Sequence, residues 1–254
     1  MSGRWPLGSE VKHGVIEGGA MLYDASRARN LTAAWFDPRY WSSRGELDGA
    51  ATYGRGTTHF VRSPDRRLVL RHYHRGGFIS LLSPDRYIWR GEEQTRPFTE
   101  WSITYRLHRA GLPVPAPIAA RYAREGRTYR GDLITERLRT VGSLAECLGC
   151  GALSIVTWIS IGRCIRRFHD FGVCHADLNA RNVLLSEEAV YLVDFDRCQL
   201  RRAGLWRDAN LVRLRRSLEK VTYGLPPDRF TEADWHALLD GYRQSSASRE
   251  PSPG

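Results

Sequence analysis

Apolar residues run through this chain in two rhythms: mostly alternating, strand-like runs up to about residue 136, then mostly helical spacing. Gly14-Val15-Ile16 and Ala20-Met21-Leu22-Tyr23 are candidate strands in an otherwise irregular lead-in over residues 1–30. Phe60-Val61 and Leu68 to Leu70 flank Ser63-Pro64-Asp65-Arg66, a turn sequence, and predict a hairpin. Ile118 to Tyr122 and Tyr129 to Thr135 predict a second antiparallel pair around Arg124-Glu125-Gly126-Arg127. Between the pairs, Glu100, Ile103 and Leu107 share one face of a helix expected from Thr95 to Ala110. Gly111-Leu112-Pro113-Val114-Pro115 stops it, because proline neither continues a helix nor lets its predecessor do so.

Helical spacing dominates from there on. Ile155, Trp158, Ile159, Ile165 and Phe168 trace one face, with Arg163, Arg166 and Arg167 off it, so a buried helix is expected. Val183-Leu184-Leu185 and Tyr191-Leu192-Val193 are short apolar strands. Leu211, Leu214, Leu218 and Val221 mark a further helix whose other faces carry Arg213, Arg215, Arg216 and Lys220, and a last helix runs from Glu232 to Tyr242. Ser245 to Gly254 has the composition of a disordered tail. The pattern is that of an α+β protein: one domain over residues 1–244, with a small antiparallel-sheet lobe at about 30–136 and a mainly helical lobe at 137–244.

Two local compositions leave alternatives. Trp35-Phe36-Asp37-Pro38-Arg39-Tyr40-Trp41 reads as a short helix near Asp37 with Pro38 first, its aromatics either packing on the small lobe or stacking on bases. Gly49, Gly54 and Gly56 precede the strand from His59, as an ordinary glycine turn or as a loop whose backbone can approach phosphates.

At 254 residues and 42% hydrophobic, the chain has material for a two-lobed core. No apolar run nears the ~20 residues that span a bilayer. Glu10, Lys12 and Glu17 break the amino terminus, so a cytoplasmic location is expected. Cys147, Cys150, Cys164, Cys174 and Cys198 form an odd set without disulfide spacing, and the Cys147-x-x-Cys150 pair lacks the second pair that zinc requires. A formal net charge of +10 calls for an anionic partner: nucleic acid, a phosphorylated substrate or an acidic membrane.

The chemistry concentrates in Val173-Cys174-His175-Ala176-Asp177-Leu178-Asn179-Ala180-Arg181-Asn182 and, beyond the short strands, Val193-Asp194-Phe195-Asp196. A phosphoryl-transfer loop needs a carboxylate for the acceptor hydroxyl and, five positions on, an amide oxygen for a metal, followed by a second metal-facing carboxylate. Asp177, Asn182 and Asp194 fill these roles, and the hard oxygen donors suit Mg²⁺ carried by ATP. Upstream, Gly54 and Gly56 would cover the phosphates. Arg71 occupies the strand-end position of the lysine that contacts phosphates in protein kinases, with Glu100 its candidate partner. The alternative makes both exposed terminal charges. Arg71-His72-Tyr73-His74-Arg75-Gly76-Gly77, together with Arg197, Arg201 and Arg202, forms basic stretches suited to an acidic acceptor or anionic lipid.

Val69 to Gly77, His175 to Asn182 and Val193 to Arg197, with Gly54-Arg55-Gly56-Thr57-Thr58 and Gly111-Leu112-Pro113-Val114-Pro115, resemble the bacterial 3-deoxy-D-manno-octulosonic acid (Kdo) kinases, of the lipopolysaccharide core kinase group, from about residue 35 to 220. The resemblance implies a protein-kinase-like fold and transfer of the ATP γ-phosphoryl to the 4-hydroxyl of Kdo on a lipid A precursor. It also implies a peripheral position on the cytoplasmic face of the inner membrane, and makes an arginine at position 71 usual. Arg75, Arg197 and Arg201 are then candidate acceptor contacts. Lipopolysaccharide heptose kinases share the catalytic loop and stand as the alternative, with other small-molecule or protein kinases behind them. A cationic aminoglycoside would be repelled by those arginines, and the absence of an Ala-Pro-Glu after the metal loop argues against a protein substrate. A basic nucleic-acid-binding protein is the non-enzyme alternative, but no zinc-finger, RRM or helix-turn-helix signature accompanies the charge.

Overall fold

The computed structural model describes residue 8 and residues 10–53, 56–74 and 85–244. It divides into two compact units. The first runs to Ala110 and resumes over Pro115–Leu138, while the second comprises Gly111–Val114 and the chain from Arg139.

The first unit is an antiparallel sheet with one long helix. Its elements are β1 (Val11–Ile16), β2 (Gly19–Asp24), α1 (Pro38–Ser43), β3 (Leu47–Tyr53), β4 (Gly56–Ser63), β5 (Arg66–His72), β6 (Tyr87–Ile88), α2 (Arg96–Arg109), β7 (Pro117–Glu125) and β8 (Thr128–Glu136). The strand order is β1-β2-β7-β8-β5-β4-β3, with β6 also paired to β8. Both expected hairpins form, with Phe60 opposite Val69 and Tyr122 opposite Gly131. Both candidate strands of the lead-in form: β1 and β2 make a hairpin, and β2 joins the sheet by pairing Ala20 with Tyr122 and Leu22 with Ala120.

Side-chain alternation sends the strands' apolar residues to two cores. Leu22, Ala120 and Leu133 pack with Phe98, Trp101 and Tyr105 of α2. Their neighbours Met21, Ala119 and Ile134 pack with Trp35, Phe36 and Trp41. The aromatic segment is therefore core, and its helix starts at Pro38 as expected, capped by the Asp37 side chain accepting from the Arg39 N–H. Gly131 lets α2 lie close to the sheet, since a Cβ there would sit 2.7 Å from Pro97 Cγ. That contact fixes the helix start one turn before Glu100.

The second unit is mainly helical. In chain order it holds β9 (Gly142–Ser143), α3 (Leu144–Cys150), α4 (Ile155–Phe171), β10 (Val173–Cys174), β11 (Val183–Leu185), β12 (Val190–Leu192), β13 (Gln199–Leu200), α5 (Trp206–Thr222) and α6 (Glu232–Arg243). Trp158, Ile165 and Phe168 of α4 are buried as the periodicity predicts, but Ile155 is 49% exposed because it occupies the first helical position, short of the core. Helices α4 and α6 meet backbone to backbone: a Cβ on Gly162 would lie 1.9 Å from Leu238 O, and one on Gly241 2.1 Å from Ile159 O. Cys147 and Cys150 lie within α3, as helical neighbours. No described helix is long and apolar enough to cross a membrane. The architecture is the α+β, kinase-like one the sequence predicts.

Candidate active site

Two loops of the second unit are stapled together at both ends. Outer ends meet where β10 pairs with β13, Val173 opposite Leu200, and inner ends where β11 pairs with β12, Val183 opposite Leu192. Between these ladders lie residues 175–182 and 193–198, so short backbone pairings bring Asp177 and Asn182 into one assembly with Asp194. The Val193 N–H donates to Asn182 O at 3.1 Å, extending the inner ladder to Asn182 and the residue before Asp194.

His175 is the cross-link. Its Nδ1 accepts from the Asp177 N–H at 3.2 Å, which puts the ring proton on Nε2, and Nε2 donates to Val193 O at 3.1 Å. Burial pushes the His175 pKa below the ordinary histidine value, favouring the neutral ring this bonding needs. Phe195, fully buried, lies 5.3 Å from the His175 ring and stacks on Phe168 at 5.9 Å, anchoring the residue that follows Asp194. Asp194 itself has φ 64°, a left-handed conformation that aspartate tolerates better than most residues.

Within the first loop, side chains fold the backbone onto itself. The Asn182 Nδ2 donates to Asp177 O at 2.9 Å, which leaves Oδ1 as its donor atom for a metal. Asn179 Nδ2 donates to Asp177 Oδ2 at 3.0 Å, and Asn179 Oδ1 accepts from the Arg181 N–H at 2.8 Å. Among the described residues, no cluster of three or more His, Cys, Asp or Glu side chains could cage a metal. One carboxylate and one amide oxygen fit a magnesium ion that takes its remaining ligands from phosphates and water.

Helix α5 supports the loop from outside. Asn210, buried, accepts from the His175 N–H at 3.1 Å and donates to His175 O at 3.0 Å. Ser217 Oγ accepts from the Ala180 N–H at 3.0 Å, and Arg213 Nη1 lies 3.8 Å from Asp177 Oδ1. Sequence reasoning placed Arg213 only among the basic residues of α5 and singled out neither Asn210 nor Ser217. The signal was there: positions 210, 213 and 217 repeat at three- and four-residue spacing beside Leu211, Leu214 and Leu218, so polar residues border the buried stripe.

In the first unit, Arg71 and Glu100 pair, Arg71 Nη2 donating to Glu100 Oε2. Glu100 is buried and Arg71 half-buried, which rules out a pair of loose terminal charges. Tyr73, also missed, completes the cluster: its hydroxyl donates to Glu100 Oε2 and accepts from Arg71 Nη2. The Arg71 and Arg96 guanidiniums lie 4.9 and 5.5 Å from its ring centroid. Burial, reinforced by the Glu100 charge, holds the Tyr73 hydroxyl well above its ordinary pKa. Beside it, the hydrogen bond that His72 Nδ1 donates to Asp132 raises the His72 pKa, and the same carboxylate accepts from Arg121 Nε at 2.9 Å.

The remaining expected residues are placed as follows. Gly56 opens β4, three residues ahead of the strand expected from His59, and pairs with Tyr53; Gly49, with φ 117°, sits inside β3 at a register shift and not in the glycine loop. Gly54, Arg75, Gly76, Gly77 and the tail from Ser245 lie outside the described residues. Arg197 and Arg201 are exposed, with Arg201 Nη2 donating to Gln199 Oε1 at 2.7 Å; the guanidinium beside Asp177 is that of Arg213.

Comparison with known proteins matches residues 39–242 to a profile described as lipopolysaccharide kinase (Kdo/WaaP) family. A 3-deoxy-D-manno-octulosonic acid kinase of Xylella fastidiosa is 44% identical over 205 residues, covering 80% of this chain and 81% of the relative. One of Actinobacillus succinogenes is 39% identical, covering 87% and 95%, and one of Mannheimia succiniciproducens 37% identical, covering 92% and 99%.

Proposed function

The chain belongs to the lipopolysaccharide kinase (Kdo/WaaP) family, and on that premise we propose that it transfers the γ-phosphoryl group of ATP to the 4-hydroxyl of a Kdo residue on a lipid A precursor. It is a phosphotransferase acting on an alcohol group, in lipopolysaccharide core synthesis. The observation that carries the reading is the stapled pair of loops, in which His175 ties the backbone of Asp177 to that of Val193, next to Asp194.

In this reading Asp177 accepts the proton of the Kdo 4-hydroxyl as its oxygen bonds to the γ-phosphorus and the bond to ADP breaks. Asn182 and Asp194 hold Mg²⁺, which when bound neutralises charge on the phosphate oxygens. Arg71, held by Glu100 and Tyr73, positions the nucleotide phosphates, with Gly54 and Gly56 covering them. A loose phosphoryl transition state leaves the protein mainly positioning and charge neutralisation to perform, which this rigid hydrogen-bonding supports. Arg75, Arg197 and Arg201 meet the carboxylate and phosphates of the acceptor, in keeping with the +10 net charge. The same charges hold the protein peripherally on the anionic inner face of the inner membrane.

Transfer of label from [γ-³²P]ATP to a Kdo-bearing lipid A precursor, against a heptose-bearing core acceptor, tests the reading. Label on the Kdo acceptor is expected. Label on the heptose acceptor alone would replace Kdo with heptose.

A further inference from the structure

Three polar side chains of α5 lie along the catalytic loop, and two of them have an evident structural task. Asn210 satisfies both backbone groups of His175, and Ser217 receives the Ala180 N–H. Arg213, between them, does not fit that description. Its side chain is 54% exposed and that of Asp177 60%, with 3.8 Å between Nη1 and Oδ1. An ion pair so open to water adds little to stability. Stability therefore gives no reason for a guanidinium at this place.

Chemistry gives one. Asp177 puts a negative charge where a hydroxyl has to meet a phosphoryl group that is itself anionic, and a carboxylate alone repels that approach. A guanidinium is always charged, and its planar fork matches the paired oxygens of a phosphoryl or carboxylate group. Arg213 projects from a helix whose neighbouring side chains grip the same loop, so its base is fixed to the loop while its tip stays in solvent.

We propose that Arg213 is a catalytic residue whose guanidinium, resting near Asp177 Oδ1 in the free protein, binds an anionic oxygen at the reaction centre, on the transferring phosphoryl group or on the acceptor's carboxylate. The proposal rests on the phosphoryl-transfer reading of Asp177 and adds to it a cation that the loop motif does not contain.

Arg213→Gln and Arg213→Lys are compared with the wild type in full-length protein, with Lys220→Gln as a charge-matched change elsewhere on α5. Arg213→Gln is expected to lower kcat/KM for a Kdo-lipid acceptor by ~10²-fold, the scale of losing one pre-organised donor to a developing charge. Arg213→Lys is expected to recover part of that loss, and Lys220→Gln to stay within about twofold of wild type. Calorimetric titration of the acceptor into nucleotide-free protein separates the sources. Weakened binding in Arg213→Gln assigns the carboxylate; unchanged binding with a lowered kcat assigns the phosphoryl group. Wild-type-like turnover in Arg213→Gln, or an equal loss in Lys220→Gln, would overturn the proposal while leaving Asp177 in place. A wild type that transfers no phosphate removes the underlying reading, and the proposal with it.

Discussion

Replacing His175 by phenylalanine isolates the cross-link between the two loops. The aromatic ring, and its 5.3 Å contact with Phe195, can be kept, while the bonds from the Asp177 N–H at 3.2 Å and to Val193 O at 3.1 Å are lost together. An unpaired backbone group costs roughly 1–3 kcal/mol when buried. Asp177 is exposed and Val193 partly buried, so water reaches both groups and the lower end applies to each, for a total of ~2 kcal/mol at most. For a chain of this size that corresponds to a melting-point decrease of roughly 4–8 °C. The functional effect should be larger than the stability effect, because the bond lost at Asp177 fixes the backbone that aims its carboxylate. A kcat about 10²-fold lower is expected at temperatures where the variant remains folded, the cost of misplacing a catalytic group by about an ångström. Thermal denaturation followed by circular dichroism and steady-state transfer assays measure both. A His175→Phe protein that melts within about 2 °C of wild type with unchanged kcat would refute the cross-link argument.

Glu100→Gln leaves Arg71 and Tyr73 without their shared carboxylate and is expected to lower kcat/KM for ATP at least ~10-fold with a smaller effect on acceptor KM; nucleotide titration checks it. Asp194→Asn should weaken nucleotide binding in the presence of Mg²⁺ and change it little in its absence, and equal affinities for both proteins at matched Mg²⁺ would mean that Asp194 does not hold the metal. His169, buried against Tyr242 and Trp206, has its pKa pushed down by burial from 6.5 to about 4. The unfolded chain therefore binds this proton below its own, higher pKa while the folded one does not, so stability present above pH 6.5 is lost as pH falls toward 4. The loss amounts to ~3 kcal/mol, and His169→Phe should flatten this part of the denaturation profile between those limits.

The candidate site was legible because its residues sit at fixed offsets in one continuous stretch: His175, Asp177, Asn182 and Asp194 are within twenty positions of one another, with apolar strands marking the intervening turns. Arg71 and Glu100, 29 positions apart, were legible for a different reason: one ends a strand and the other lies on the apolar face of a helix, where a carboxylate needs a partner. What escaped reading depends on contacts across sequence distance. The pairing of Ala20 with Tyr122 that draws the lead-in hairpin into the sheet has no local signature, and β6, β9, β10 and β13 are two-residue ladders too short to show a period. Tyr73 passed as one aromatic in a basic run, since only the folded strand turns its hydroxyl onto Glu100. Asn210 and Ser217 escaped notice because the leucines of α5 dominate its pattern, and Arg213 was one of several basic residues there that the pattern alone does not distinguish. Ile155 erred the other way: helical periodicity assigns a face without saying where along the helix the core ends.

In the proposed reaction Asp177 drives phosphoryl transfer to the 4-hydroxyl of Kdo. The most direct test of that role is ¹H–³¹P correlation NMR of the product formed from ATP and a Kdo-lipid A precursor by wild-type and Asp177→Ala proteins. A phosphate coupled to H4 of Kdo is expected with the wild type, and a rate lower by ~10²–10⁴-fold with the variant. Phosphate at another position, or equal product from Asp177→Ala, would contradict the account.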